Sequence, residues 1–193
     1  MTNTTTNLKN NTLTEYLEAV AARQSTPGGG AVAAIVAAEA CGLIAMVANF
    51  SKSEESGDIV LRSQSSITTL LQLANEDSLA FQKVMQAYRR DGDIQVALEA
   101  AAGVPTQVIS VCSGHIEDLA HLADRGNSNL LSDVGIAASL LQSSIGSSEL
   151  NILVNMKNLD DALCGDLRAT IALIPDLNAR LQKLSAQVRS SLS

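Results

Sequence analysis

The stretch AVAAIVAAEACGLIAMVANF, residues Ala31 to Phe50, decides how the rest of this chain is read. It is nearly uninterrupted apolar sequence, of about the length that crosses a bilayer. Two features turn the reading away from a membrane. Alanine rather than leucine dominates it, and Glu39 stands in its middle, where hydrocarbon makes a carboxylate costly. A helix enclosed on most sides by other helices explains the same composition, because small side chains let helix axes approach closely. The stretch is expected to be the central core helix of a bundle.

The whole chain shares that character. Of its 193 residues, 46% are hydrophobic but only 2% aromatic, and Trp is absent, so the core must be assembled from Ala, Val, Ile and Leu. Ala and Leu favour helix, and no β-branched or aromatic run alternates over a useful length. The fold class expected is all-α.

Working outward, Ser25-Thr26-Pro27-Gly28-Gly29-Gly30 breaks the chain just before the core helix. Leu13, Tyr16, Leu17 and Val20 mark a shorter helix ahead of it, capped by Thr12 or Thr14. After a polar break at Ser51 to Asp58, the stripe Ile67, Leu70, Leu71, Ala74, Phe81, Val84, Met85, Tyr88 predicts a third helix from about Ile59 to Tyr88. Arg90-Asp91-Gly92-Asp93 reads as a turn. A fourth helical stretch reaches Ala123, with a kink or break expected at Gly103-Val104-Pro105. Arg125-Gly126-Asn127 ends it in the manner of a glycine C-cap. Ser132 is expected to cap a fifth helix, with Asp133 in its first turn and its end near Asn158. The last helix starts near Asp160 or Asp161 and continues past Pro175. The sum is a bundle of five to six long helices, one domain over residues 12–193 behind a disordered Thr- and Asn-rich tail at 1–11.

The formal net charge of -7 and pI near 4.7 come without any basic stripe, which excludes nucleic acid as an expected partner. Cys41, Cys112 and Cys164 are odd in number, widely separated and set among apolar residues. They read as buried free thiols rather than a disulfide framework or zinc site. The first thirty or so residues are polar, without the apolar run of a signal peptide, so a cytoplasmic location is expected. His115 and His121 flank Glu117 and Asp118, but a separation of six on a helix turns the two rings roughly 120° apart. No metal site is expected.

Four groups of residues can carry chemistry. Gly28-Gly29-Gly30 opens a helix, where free N–H groups and the dipole can meet an anion or a carbonyl; a tight turn between touching helices is the plainer alternative. It matches neither G-x-G-x-x-G nor G-x-x-x-x-G-K-[ST]. Asp77 shares a helix face with Leu70, Ala74, Phe81 and Val84, which puts a carboxylate toward the core, where it needs a partner or has a raised pKa. Its neighbour Glu76 reads as exposed. Asn127, Asn129, Ser132 and Asp133 form a polar cluster between helices, for which capping is a sufficient explanation. Asn151, Asn155 and Lys157 lie among apolar residues near the end of the fifth helix, as a hydrogen-bond network or an interface contact would require.

Taken in order, Ser25-Thr-Pro-Gly-Gly-Gly-Ala-Val-Ala-Ala34, Ala45-Met-Val-Ala-Asn49, Asp77-Ser-Leu-Ala-Phe81, Val104-Pro105, Gly126-Asn127, Ser132-Asp-Val-Gly-Ile-Ala-Ala138 and Asn151-Ile-Leu-Val-Asn155 resemble the cyclodeaminase/cyclohydrolase family over about residues 12 to 185. That family includes the C-terminal half of formiminotransferase-cyclodeaminase and stand-alone methenyltetrahydrofolate cyclohydrolases. The resemblance implies a helical homodimer with a folate site near the subunit interface and no cofactor beyond the tetrahydrofolate substrate. It implies hydrolysis of 5,10-methenyltetrahydrofolate to 10-formyltetrahydrofolate, or closure of 5-formiminotetrahydrofolate with loss of ammonia. A chain without a transferase half leans toward the first. The same resemblance assigns the acid/base role to Asp77 and substrate contacts to Gly28, Gly29, Gly30, Ser132, Asp133 and Asn155.

In family members a basic patch with an aromatic, about G-K-K-x-Y, follows the apolar helix, and a proline-lysine pair follows the Tyr-Arg equivalent. Here Ser51-Lys52-Ser53-Glu54-Glu55-Ser56-Gly57 and Arg90-Asp91-Gly92 stand in those places. The resemblance gives such basic groups the folate glutamate tail, and Lys52, Arg89, Arg90 and Lys157 are the substitutes this chain offers. The alternative to an enzyme is a non-catalytic folate-binding or helical dimerisation module on the same fold.

Overall fold

The computed structural model describes residues 8–89 and 92–192. The first seven residues of the expected tail, and Arg90-Asp91 of the expected turn, lie outside the described residues. Within that tail, Leu8–Asn10 form a 3-10 turn whose Leu8 N–H donates to Asn75 Oδ1 at 2.8 Å.

Seven α-helices and no strands occur among the described residues: α1 Leu13–Ala21, α2 Gly29–Asn49, α3 Ser56–Arg89, α4 Ile94–Gly114, α5 Ile116–Arg125, α6 Leu131–Met156 and α7 Gly165–Ser191. Five are long and two short. Thr12 caps α1 in a reciprocal box, its hydroxyl accepting from the Glu15 N–H at 3.2 Å and the Glu15 carboxylate accepting from the Thr12 N–H at 2.7 Å.

α2 is the centre, packed between α3 and α6 and touching α4. Ala31, Ala34, Ala37, Ala40, Cys41, Ile44 and Val47 are wholly enclosed, while Glu39 reaches solvent. By length and composition α2 and the run Ile94–Arg125 could each cross a membrane. Enclosure by neighbouring helices accounts for the apolar character of α2, and the second run is two helices rather than one. α2 and α6 run antiparallel: Ser144 Oγ donates to the Ala33 carbonyl at 2.8 Å near one end, and Asn127 Nδ2 donates to the Phe50 carbonyl at 3.2 Å at the other. α7 closes the far side with Leu167, Ile174, Leu177, Leu181, Leu184 and Val188. Cys41, Cys112 and Cys164 are free and buried, and burial raises the Cys41 and Cys112 thiols to about 12.

Three local expectations are corrected. Pro105 does not break α4, which continues through it from Ile94 to Gly114. Ala101, Ala102, Val104, Pro105, Val108 and Ile109 are all buried around that point, and their packing outweighs the lost backbone hydrogen bond. The break comes at His115 instead, whose backbone leaves the regular helix where its ring is held by two side chains. Ser132 is not a cap: Asn127 Oδ1 accepts from the Asn129 N–H at 3.0 Å and starts a 3-10 turn, and α6 has already begun at Leu131. Gly126 does end α5, but with an extended backbone (φ -76°, ψ -175°) rather than a left-handed one. Its smallness matters for another reason, since a β-carbon there would lie 2.4 Å from the Leu122 carbonyl oxygen.

Candidate active site

Asp77 sits midway along α3, on the face turned to the start of α2. Its Oδ2 accepts the Ala31 backbone N–H at 3.0 Å, one of the four amides that the first turn of any α-helix leaves without an internal partner. The approach is possible because residue 30 has no side chain. A β-carbon on Gly30 would fall 2.0 Å from Asp77 Oδ1 and 2.5 Å from Cγ. The other two glycines differ: a β-carbon on Gly28 would meet only the Ser25 carbonyl at an ordinary 3.5 Å, and one on Gly29 would meet nothing within 4 Å. The triplet that reads as one unit in the sequence therefore contains a single position where size is decisive.

Burial pushes the Asp77 carboxyl above the usual carboxylate range, and the Ala31 N–H opposes that only in part. The shift moves its titration toward neutrality relative to an exposed aspartate, the direction that suits a proton-transfer residue.

Asp77 opens into a cavity of about 380 Å³, within the range of small-molecule sites. Ser25, Thr26 and Gly28 to Gly30 form one wall, with the Thr26–Pro27 bond cis. Phe81, Val84, Met85 and Tyr88 continue along α3, and Leu98 and Ala101 come from α4. Asn151, Val154, Asn155 and Asn158 complete it from the end of α6. None of these lining residues is a lysine or arginine. Gln95 ties the far end together, its Nε2 donating to the Asn158 carbonyl at 3.2 Å and its Oε1 accepting the Asp160 N–H at 2.7 Å.

Of the residues singled out in the sequence, Asp77, Gly28, Gly29, Gly30, Asn151 and Asn155 meet here. Ser132 and Asp133 do not. They lie in the first turn of α6, and the 23 residues between Ser132 and Asn155 place them about 34 Å apart along the helix. Lys52 is likewise at the opposite end of α2 from Gly30. Arg89 and Lys157 adjoin the lining residues Tyr88 and Asn158 and stand exposed at the rim. Asn158 and Gln95 had no sequence signal: Asn158 lines the cavity from the loop after α6, and Gln95 on α4 holds that loop by its hydrogen bonds.

A second polar group lies away from this cavity. Ser66 Oγ is 2.8 Å from His115 Nε2, His115 Nδ1 is 2.9 Å from Asp118 Oδ2, and Arg62 donates to Asp118 Oδ1 at 2.6 Å. His115 and Asp118 are buried. Burial acts to raise the Asp118 pKa, but the bonds from His115 and Arg62 together outweigh it and hold the carboxyl below its ordinary value. The group clamps α3 to the α4–α5 break. His121 points elsewhere, to Ser53 at 2.9 Å, and among the described residues no group of three or more His, Cys, Asp or Glu could hold a metal ion.

The family model described as formiminotransferase-cyclodeaminase matches residues 12–172, which takes in every element of the cavity. The chain belongs to that family. Family relatives include the methenyltetrahydrofolate cyclohydrolase of Methylorubrum extorquens, 29% identical with 95% of this chain and 99% of that protein covered. The mouse formimidoyltransferase-cyclodeaminase is 28% identical over 80% of this chain, which spans 32% of the mouse protein. Among solved structures, the formiminotetrahydrofolate cyclodeaminase of Thermotoga maritima superposes with a TM-score of 0.85 at 35% identity, covering 95% of this chain and 96% of that one.

Proposed function

We propose that this chain is an enzyme of folate one-carbon chemistry that hydrolyses 5,10-methenyltetrahydrofolate to 10-formyltetrahydrofolate, with Asp77 moving the proton. The observation that carries the reading is a carboxylate fixed by a helix-start amide in a cavity lined, among the described residues, by apolar and uncharged polar side chains and no cationic one. Such a site complements a flat, positively charged amidinium. It disfavours anions, so the glutamate tail stays outside, within reach of Arg89 and Lys157 at the rim.

In this mechanism Asp77 Oδ2 stays bonded to Ala31 N–H and Oδ1 acts as the base. Water attacks the methenyl carbon, its oxygen forms the new C–O bond, and its proton passes to Asp77. The resulting neutral tetrahedral carbon loses its bond to N5 as that nitrogen takes the proton and the hydroxyl loses its own. One proton is released overall and the formyl group remains on N10. The ionised carboxylate also stabilises the cationic ground and transition states from a fixed position. These steps exchange a C–N bond for a C–O bond and move protons without any change of oxidation state.

The second reading is closure of 5-formiminotetrahydrofolate with loss of ammonia, favoured by the likeness to the solved Thermotoga protein. It passes through the same tetrahedral carbon between two nitrogens. The deciding experiment follows methenyltetrahydrofolate absorbance with wild type and Asp77→Asn side by side, and ammonia release from formiminotetrahydrofolate in parallel. Acceleration of neither reaction by folded wild-type protein would leave a non-catalytic folate-binding module.

The proposal includes a homodimer in a cytoplasmic setting. Ser132 and Asp133 can contact a ligand in this cavity only from a second copy, given their distance along α6. Sedimentation giving a monomer at working concentration would remove them from the site. Three free buried thiols suit a reducing compartment.

A further inference from the structure

The outer edge of α6 is apolar and uncovered. Ile136, Ser139, Ser143, Gly146, Leu150 and Leu153 follow one another at alternate spacings of three and four, which makes one seam along the helix. The seam faces away from the core, since the buried residues Val134, Ala138, Leu141, Ile145 and Ile152 lie on the opposite side. Ile136, Leu150, Leu153 and the neighbouring Val154 are between 46% and 68% exposed, and no charged residue stands between Asp133 and Glu149. A helix edge that stays in water is normally polar. α2 lies beside α6 and packs like it on α4, so its outer edge continues the same side of the bundle. That edge carries half-buried Val32, Ile35, Val36, Leu43 and Met46, and Glu39 is the one charge on α2. Two helices side by side, each about 10 Å across and about 30 Å or more long, present roughly 600–800 Å². Each partner in a stable complex buries about 800 Å².

The seam is complementary to itself when two copies of α6 run antiparallel about a two-fold axis between Ser143 and Gly146. In that register Ile136 faces the partner's Leu153, Ser139 faces the partner's Leu150, and Ser143 faces the partner's Gly146. The helices can close at the centre, where even a β-carbon on Gly146 would meet nothing within 4 Å of its own chain. Past the ends of the seam, the same register sets Lys157 opposite the partner's Ser132 and next to the partner's Asp133. Neither Lys157 nor Asp133 has an ion-pair partner in its own chain among the described residues. A parallel pair would set each of these charges against its own like, whereas the antiparallel pair joins opposite ones.

We propose that a second copy of this chain packs on α6 in that antiparallel register, and that its Asp133 borders the cavity holding Asp77. Eighteen residues, five full turns, separate Asp133 from Asn151, so both lie along one side of α6. A two-fold axis perpendicular to the helices keeps that side common to the two copies. The partner's Asp133 then stands level with Met156, beside the lining residues Asn155 and Asn158. The helix length that keeps Ser132 and Asp133 from the cavity of their own chain carries them to the partner's. The ligand in that cavity rests on the folate reading above; the seam and its register rest on the side chains of α6.

The experiment uses the full chain without substrate. Wild type is expected to sediment as a dimer. A variant carrying both Ile136→Cys and Leu153→Cys is expected to form disulfide-linked dimers with copper phenanthroline, against a low background because the native thiols are buried. The two new cysteines lie about 26 Å apart within one chain, too far to bridge each other. Either substitution alone should give no cross-link, because its own counterpart across the two-fold axis is as far away. Asp133→Lys is expected to raise the dimer Kd several-fold, through two exposed pairs turned repulsive, and adding Lys157→Asp should restore it. A wild-type monomer in sedimentation overturns the proposal. So does a dimer whose double-cysteine variant, folded by circular dichroism, fails to cross-link, or one in which Ile136→Cys links to itself. A charge swap that restores nothing removes Asp133 from the partner's cavity. Folate turnover by a protein that does not cross-link leaves the folate reading standing, and cross-linking without turnover leaves the seam standing.

Discussion

Gly30 and Asp77 occupy one space: the volume a β-carbon would fill at residue 30 is taken by the carboxylate of residue 77, 2.0 Å from that carbon's place. The pairing lets α3 bring an acid against the first amides of α2. Gly30→Ala is expected to push the flexible end of Asp77 aside rather than unfold the bundle. The loss of stability should stay within about 1–3 kcal/mol, as for other overpacked sites, while turnover falls by about 100-fold or more as the base is displaced. Gly29→Ala, with open space around its β-carbon, is the internal control and should keep most activity. Thermal melts and kcat on the two variants check both halves.

Asp77→Asn should abolish turnover by about 10²- to 10⁴-fold, the usual share of a general base, without loss of stability. The sign follows from its pKa. A carboxyl whose folded pKa is raised by burial favours the fold in its protonated form, and that contribution is lost as pH rises through the raised value. The neutral amide escapes that cost and keeps an oxygen for the Ala31 N–H. At neutral pH the variant should therefore melt at or above the wild-type temperature. A clearly lower Tm would mean that Asp77 is chiefly structural.

The wild-type pH–rate profile should fall on the acid side with an apparent pKa above the ordinary aspartate value, because burial raises it. An acid limb at or below the ordinary value, about 3.9, would assign proton transfer to another group.

Asp118 behaves oppositely. Its folded pKa is depressed despite burial, so the stability it contributes is present above the unfolded value near 3.9 and lost as pH falls through the folded one. Asp118→Asn is expected to cost about 1–3 kcal/mol at neutral pH, because the carboxylate charge is lost and only one oxygen is left where His115 and Arg62 each had one. Arg62 is half exposed and can turn to water. The gap between variant and wild type should narrow in urea titrations as pH falls below the ordinary aspartate range, and a pH-independent gap would mean that packing rather than charge is lost.

Gln95 holds the far end of the cavity through one donated and one accepted bond. Gln95→Ala should raise KM several-fold with kcat nearly unchanged, since it loosens Asn158 without touching the reacting atoms. The stability cost should be about 0.5–1.5 kcal/mol. A fall in kcat with KM constant would contradict that role.

The helical bundle, its centre at Ala31 to Phe50, a first-helix cap at Thr12 or Thr14 and the buried thiols were legible in the chain itself. Each depends on neighbours within a turn or two, or on composition summed along a helix, where period and propensity suffice. Asp77 could be placed toward the core by the same arithmetic, and the collinear motifs named its family. Other features could not be read that way. Pro105 carries a strong local signal for a break that packing overrules, while His115, with no such signal, marks the break because Ser66 and Asp118 reach it from other positions. Ser132 and Asn155 share a helix, yet length alone separates them by about 34 Å. That only Gly30 of three glycines is sterically required follows from atoms brought together across the fold. Local sequence set the period of the helices; close approach between helices decided which of their side chains share one cavity.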